Sequence, residues 1–200
     1  MTAPSGPILP STELSFLAPW IDGAGLAPAV GRVIRRALGD VGVLEAPPGS
    51  NRGRRIDFYN NLCGVPLGSP YCASSLTAWC KWAGIRTPPI GARWWRDAGL
   101  SPMNPAAVDA WVTWSRHEGL WTTQPALGHA VIYGDDRDEG QHIGLIVRAP
   151  GERQPFFRSF EANTSTNPGY SRDGDGFEFK WLRDSQLARV RGYVRLVSEK

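Results

Sequence analysis

From Pro28 the apolar residues Val30, Val33, Ile34, Ala37, Leu38 and Val41 recur at three- and four-residue spacing, with Arg32, Arg35 and Arg36 between them. That period predicts a surface helix that stops near Gly42. A loop follows over 46–53, Ala-Pro-Pro-Gly-Ser-Asn-Arg-Gly, and then a short helix around 55–64. The segment Val-Pro-Leu-Gly-Ser-Pro-Tyr, 65–71, leads into a further amphipathic helix, Cys72 to Ala83, whose residues Leu76, Trp79, Cys80 and Ala83 share one face. Gly84 is placed to end it. Residues 85–105 are irregular and proline-rich, with a short helical piece near 92–99, and 106–117 reads as another short helix.

After Gly119 the pattern changes. Strands are predicted at 129–133, 142–149, 155–162 and 189–197, separated by turn-rich segments at 134–140, 149–154 and 163–176. Helices first and a run of antiparallel strands afterwards define an α+β fold. Residues 1–27, rich in proline and glycine and without a sustained period, read as an N-terminal arm, and 28–200 as one domain.

Composition narrows the function. A chain of 200 residues, 42% hydrophobic and 20% charged, suits a single globular domain with a core of ordinary size. Its net charge of +3 comes without a dominant Lys/Arg run, so nucleic acid is not indicated. An anionic polymer such as a cell wall is compatible with that charge. Nine tryptophans are many for this length; most are expected to serve the core, and a surplus can line a saccharide- or peptide-binding groove. No segment approaches the roughly 20 apolar residues of a membrane span. The first residues, MTAPSGPILPSTELSF, lack the basic and apolar regions of a signal peptide, so synthesis in the cytoplasm and export by outside help are expected.

Cysteine usage excludes two further classes. Cys63, Cys72 and Cys80 are odd in number and lack metal-ligand spacing, which argues against a disulfide framework and a structural zinc site. Cys72 stands where a loop turns into a helix. Free N–H groups and the partial positive charge of a helix start lower a thiol pKa and can hold an oxyanion. Cys72 is therefore the candidate nucleophile, while Cys80, two turns on, and Cys63, beside Gly64, read as structural.

A thiolate nucleophile needs a base, and three histidines exist. His142 and His129 each open a predicted strand, and pattern alone does not choose between them. His117 lies at a predicted helix end, where a solvated imidazole is usual. In the strand 155–162, alternation puts Phe157, Ser159 and Glu161 on one face and Phe156, Arg158 and Phe160 on the other. Glu161 or Asn163 is suited to orient the histidine. The run from Asn163 to Gly169 is equally good turn chemistry.

The succession VGVLEAPPGSNRGRRIDFY, GSPYCASSLTAWCKWAG, ALGHAVIY, QHIGLIV and FEANTS resembles the CHAP domain, the cysteine- and histidine-dependent amidohydrolase/peptidase family. That family is related to the NlpC/P60 peptidases and shares a papain-like fold. The resemblance spans about residues 28–197 and is most specific at Tyr71-Cys72-Ala73, the His-Ile-Gly strand and Glu161-x-Asn163. It implies Cys72 as nucleophile, His142 as general base, and Glu161 and Asn163 as the residues that orient it. The segment Glu45, Ser50, Asn51 and Gly53 matches a stretch of a phage-lysin-like subgroup, and implies a groove rim in which Asn51 and Tyr71 contact substrate.

Two departures stand out. Gly128-His129 replaces the usual Gly-Asp, which puts His129 forward as a substrate contact or rival base. The Asp-x-Asp calcium loop of some members is missing from GSNRGRRIDFY, so neither calcium nor another cofactor is expected. The implied activity is hydrolysis of peptidoglycan amide bonds, as an N-acetylmuramoyl-L-alanine amidase or an endopeptidase. A phage lysin working with a holin and an antibacterial effector with a secretion apparatus and immunity protein are both compatible. The competing readings are a non-catalytic wall-binding module and an intracellular cysteine protease or acyltransferase of the same fold.

Overall fold

The computed structural model describes residues 25–135, 140–150, 157–164, 174, 176–181 and 187–199. All but the last three residues of the expected N-terminal arm lie outside these, as do large parts of the expected turns at 134–140, 149–154 and 163–176.

Among the described residues the chain forms five helices and then a six-stranded antiparallel sheet, an α+β arrangement. The helices are α1 (Pro28–Leu38), α2 (Arg54–Cys63), α3 (Cys72–Ala83), α4 (Ala92–Asp97) and α5 (Val108–His117). The strands are β1 (Trp121–Thr122), β2 (Ala130–Tyr133), β3 (His142–Arg148), β4 (Arg158–Thr164), β5 (Gly176–Trp181) and β6 (Val190–Val194). In the sheet they lie in the order β1-β6-β2-β3-β4-β5. No helix among the described residues is long and apolar enough to cross a membrane.

Helix α3 departs from its expected amphipathic form. Every residue from Cys72 to Cys80 is buried, and Lys81 alone is exposed. The cause is its position: α1 and α2 pack on one side and β3 and β4 on the other. A helix covered all round has no polar stripe, so its small polar residues Ser74, Ser75 and Thr77 are buried too. Its end follows expectation. Gly84 adopts the left-handed φ of 70°, and the Ile85 N–H reaches back to the Cys80 carbonyl at 2.9 Å. Arg32 of α1 donates to the last carbonyl of the helix, that of Ala83, at 2.9 Å.

Helix α1 ends at Leu38, earlier than its apolar period predicts, and the chain passes through turns to Gly42. Asp40 explains the change. Its side chain is 0% exposed and gathers the Tyr59 hydroxyl, the Trp79 indole N–H at 2.8 Å and the Arg55 guanidinium at 3.2 Å. A buried carboxylate is tolerable only when donors surround it. Here the donors come from α2 and α3, so one side chain ties three helices together. Burial still outweighs them and holds the Asp40 pKa above the ordinary carboxylate value.

The main core fills the space between helices and sheet, with Val33, Ile34, Trp79, Trp111, Leu145 and Phe160 among its members. A smaller cluster, Val131, Tyr133, Ile146, Phe157 and Tyr193, covers the other face of the sheet. Strands β2 and β3 are therefore buried on both faces, which is why they read as nearly unbroken apolar runs. Strand β5 is not among the strands expected from sequence, and neither is the two-residue β1.

Candidate active site

The site forms at one end of the sheet. His142, the first residue of β3, pairs across with Tyr133, the last of β2. On the other side of β3, Gly144 pairs with Glu161 of β4. Pleat alternation sends His142, Gly144, Ser159, Glu161 and Tyr133 to the face away from α3. Cys72, at the start of α3, arrives from the opposite side and meets His142 at the strand's end, where it also approaches the Ile143 backbone.

The contacts fix the roles of the atoms. His142 Nε2 lies 3.1 Å from Glu161 Oε2. An ionised carboxylate only accepts, so Nε2 carries the proton and donates it, leaving Nδ1 as the nitrogen for the Cys72 thiol. Glu161 Oε1 accepts the Tyr133 hydroxyl at 2.8 Å and the Ser159 hydroxyl at 2.6 Å. The carboxylate is thus held at both oxygens.

Gly144 is part of this geometry. A Cβ there would stand 2.7 Å from Glu161 Cγ, closer than such atoms approach one another. The glycine two residues after His142 leaves room for the carboxylate to cross β3 and reach the imidazole.

Electrostatics turn the contact into an ion pair. Burial pushes the Cys72 thiol up, but the hydrogen bond and charge of His142 and the backbone N–H groups of Ala73 and Ile143 bring it below the ordinary value. Burial pushes His142 down, yet Cys72 and Glu161 raise it to about 10. Burial likewise opposes ionisation of Glu161, and the His142, Ser159 and Tyr133 donors overcome it, holding its pKa low. All three groups therefore favour thiolate, imidazolium and carboxylate. The first intrahelical bond of α3 runs from Ser75 N–H to Tyr71 O at 2.9 Å, so the helix-start N–H groups that the thiol does not engage, that of Cys72 among them, point out to where an oxyanion would sit.

The remaining candidates fall in different places. Asn163 is buried at a register shift in β4 and takes the left-handed φ of 58°. Tyr71 is buried beside Cys72, its hydroxyl 3.5 Å from Gly176 O. Asn51, with φ of 53°, lies in the loop between α1 and α2 and donates its backbone N–H to Glu45 at 2.9 Å. His129 is not brought to the cluster. It lies opposite Ile146, four residues along β3 from His142, or about 13 Å at ordinary strand rise. Burial and the Arg195 charge lower its pKa.

Cys63 and Cys80 are buried away from His142, with no disulfide. Among the described residues no three His, Cys, Asp or Glu side chains are grouped to hold a metal ion. Tyr133, Gly144 and Ser159 are supporting residues to which sequence reasoning assigned no role; the signal was present in the strand pattern but depended on the register of the β2–β3 hairpin and of β4.

Comparison of the chain with protein-family models, with curated proteins and with solved structures finds no match.

Proposed function

We propose that this chain is a cysteine amidohydrolase of papain-like fold that cuts amide bonds in peptidoglycan. The observation that carries the proposal is the buried series Cys72–His142–Glu161, with the thiol at a helix start and the imidazole held by a carboxylate. A buried ion pair of this kind has little structural use, since apolar residues would fill the space at lower cost. Perturbed groups of opposite direction, placed side by side, are what nucleophilic catalysis requires.

The chemistry follows from the atoms. The Cys72 thiolate adds to the amide carbonyl, and the N–H groups at the start of α3 stabilise the oxyanion. The His142 imidazolium gives its Nδ1 proton to the departing amine as the C–N bond breaks, leaving a thioester on Sγ. Neutral His142 then takes a proton from water, whose oxygen attacks the thioester; the acid product leaves and the thiolate–imidazolium pair returns. Glu161 keeps the imidazole in the required tautomer throughout. Peptidoglycan as substrate comes from the resemblance of GSPYCASS, QHIGLIV and FEANTS to the CHAP family. Action in the periplasm or wall, after lysis or delivery, is part of the same proposal.

Purified sacculi test it. The protein is expected to lower their turbidity and release new amines without new reducing sugar ends, because glycosidic cleavage usually needs a pair of carboxylates. New reducing ends without amines would contradict the proposal.

A further inference from the structure

The loop between α1 and α2 holds a buried carboxylate that is half satisfied. Glu45 is 6% exposed, and its Oε2 accepts the Asn51 backbone N–H at 2.9 Å. Its Oε1 is out of solvent and has no hydrogen-bond partner among the described residues. Asn51 Oδ1, on the residue that holds Glu45, is buried without a partner in the same way. The basic side chain nearest in the loop, Arg52, is committed to Asp57 through two hydrogen bonds of 2.8 and 3.1 Å. Two acceptor oxygens and one negative charge therefore share a loop that supplies no donor for them. A buried polar atom left this way calls for an explanation, and a bound ion or ligand is one.

The position of the loop gives these two oxygens a context. Leu44, the neighbour of Glu45, bridges to Gly176 at the start of β5, and Gly176 pairs with Thr164 next to Asn163. Tyr71, which precedes Cys72, directs its hydroxyl at the carbonyl of the same Gly176. Glu45 thus stands at the end of the sheet where His142 begins β3. The loop is also set in shape: Ala46 N–H bonds the Arg52 carbonyl at 2.9 Å, and Asn51 itself holds a left-handed φ of 53°. A preformed loop in which two buried acceptors lack a donor suits a cation that is all donor. An ammonium group has three N–H bonds and no acceptor.

We infer that Glu45 and Asn51 form a subsite for a primary ammonium group of the substrate, the free amine of a stem or cross-bridge peptide. The choice of peptide rests on the function proposed above; the preference for an amine does not. The charge-assisted bonds it makes would orient the substrate before the thiolate acts.

Binding to the full-length Cys72→Ala protein tests this without turnover. Calorimetry would compare L-alanyl-γ-D-glutamyl-L-lysine, amines free, with the same peptide acetylated on both amines; the two singly acetylated forms then show which amine is read. The free peptide is expected to bind roughly tenfold more tightly or better. Glu45→Gln should reduce that preference to near unity while keeping the side chain's shape. Asn51→Gly, which tolerates the positive φ and keeps the backbone N–H, should reduce it partly even where Glu45→Gln fails to fold. Equal affinity for both peptides, no affinity for either, or a preference that survives the substitutions overturns the inference. Failure of the native protein to cut sacculi, with the amine preference intact, would overturn the hydrolase proposal alone.

Discussion

Cys72 and Cys80 occupy the same helix, eight residues apart, and both are nearly closed to solvent, at 6% and 0% exposure. Their chemistry is opposite. At Cys80 burial acts alone and drives the thiol well above its ordinary value. Cys63, at the end of α2, is likewise pushed up to about 11 by burial. At Cys72 the same burial is overcome by the His142 partner and by backbone N–H groups. The histidines repeat the lesson: burial lowers His129, whereas His142 is raised to about 10 by Cys72 and Glu161. Desolvation opposes the charged form of every one of these groups, and what separates Cys72 and His142 from the core positions is the partner placed within reach.

The largest effects should separate the two ends of α3. Cys72→Ala is expected to lower kcat/KM for amide cleavage by about 10³-fold or more, because the attacking atom is gone. His142→Ala should be nearly as severe, and the double variant hardly worse than either, since the two act as one unit. Cys80→Ala should leave turnover within about twofold of the native protein. Steady-state release of amines from a soluble muropeptide measures all four.

Next come the residues behind the imidazole. Glu161→Gln should cost roughly 10- to 100-fold, because the carboxylate orients His142 and makes no bond to substrate. Gly144→Ala places a methyl 2.7 Å from Glu161 Cγ, so it should lose a similar factor and also about 1 to 3 kcal/mol of stability. Chemical denaturation read beside activity separates these two variants: only Gly144→Ala should show the combined loss.

The pH profile should carry the same asymmetry. Activity should rise as pH passes the lowered Cys72 pKa, below the ordinary thiol value, and fall as His142 loses its proton near about 10. Glu161→Gln removes a charge that raises His142, so the alkaline limb should move to lower pH. A single ionisation at the ordinary thiol value would contradict the ion pair. The smallest effects belong to the control positions. Cys80→Ala should cost only about 1 kcal/mol for a small cavity, and His129→Ala should change activity less than about twofold, by denaturation and kinetics respectively.

The sequence pattern exposed some of this and concealed the rest for physical reasons. A cysteine opening a helix and a histidine opening a strand are local features, and both lie where the spacing predicts. The choice between His142 and His129 was not local. Both open the strands of one hairpin, and only the antiparallel register puts them at opposite ends of it. Glu161 could be assigned to a face by alternation, but its hold on Tyr133 requires β2, β3 and β4 to be aligned. Strand β5 was hidden because its run Gly-Phe-Glu-Phe-Lys-Trp follows a long glycine- and asparagine-rich stretch that reads as turn throughout. The shortened α1 came from Asp40, a polar residue whose burial depends on Tyr59 and Trp79 far along the chain.

The central claim is that Cys72, alone of the three thiols, is a thiolate paired with His142. Iodoacetamide labelling followed by mass spectrometry at each cysteine, as a function of pH, addresses it with Cys63 and Cys80 as internal references. The account predicts that Cys72 is alkylated at a pH below the ordinary thiol value of about 8.5, while Cys63 and Cys80 stay unmodified in the folded protein. It also predicts that His142→Ala moves the Cys72 labelling curve upward by more than about one pH unit. A Cys72 that labels no faster than its two neighbours, or whose curve is unchanged in His142→Ala, would contradict it.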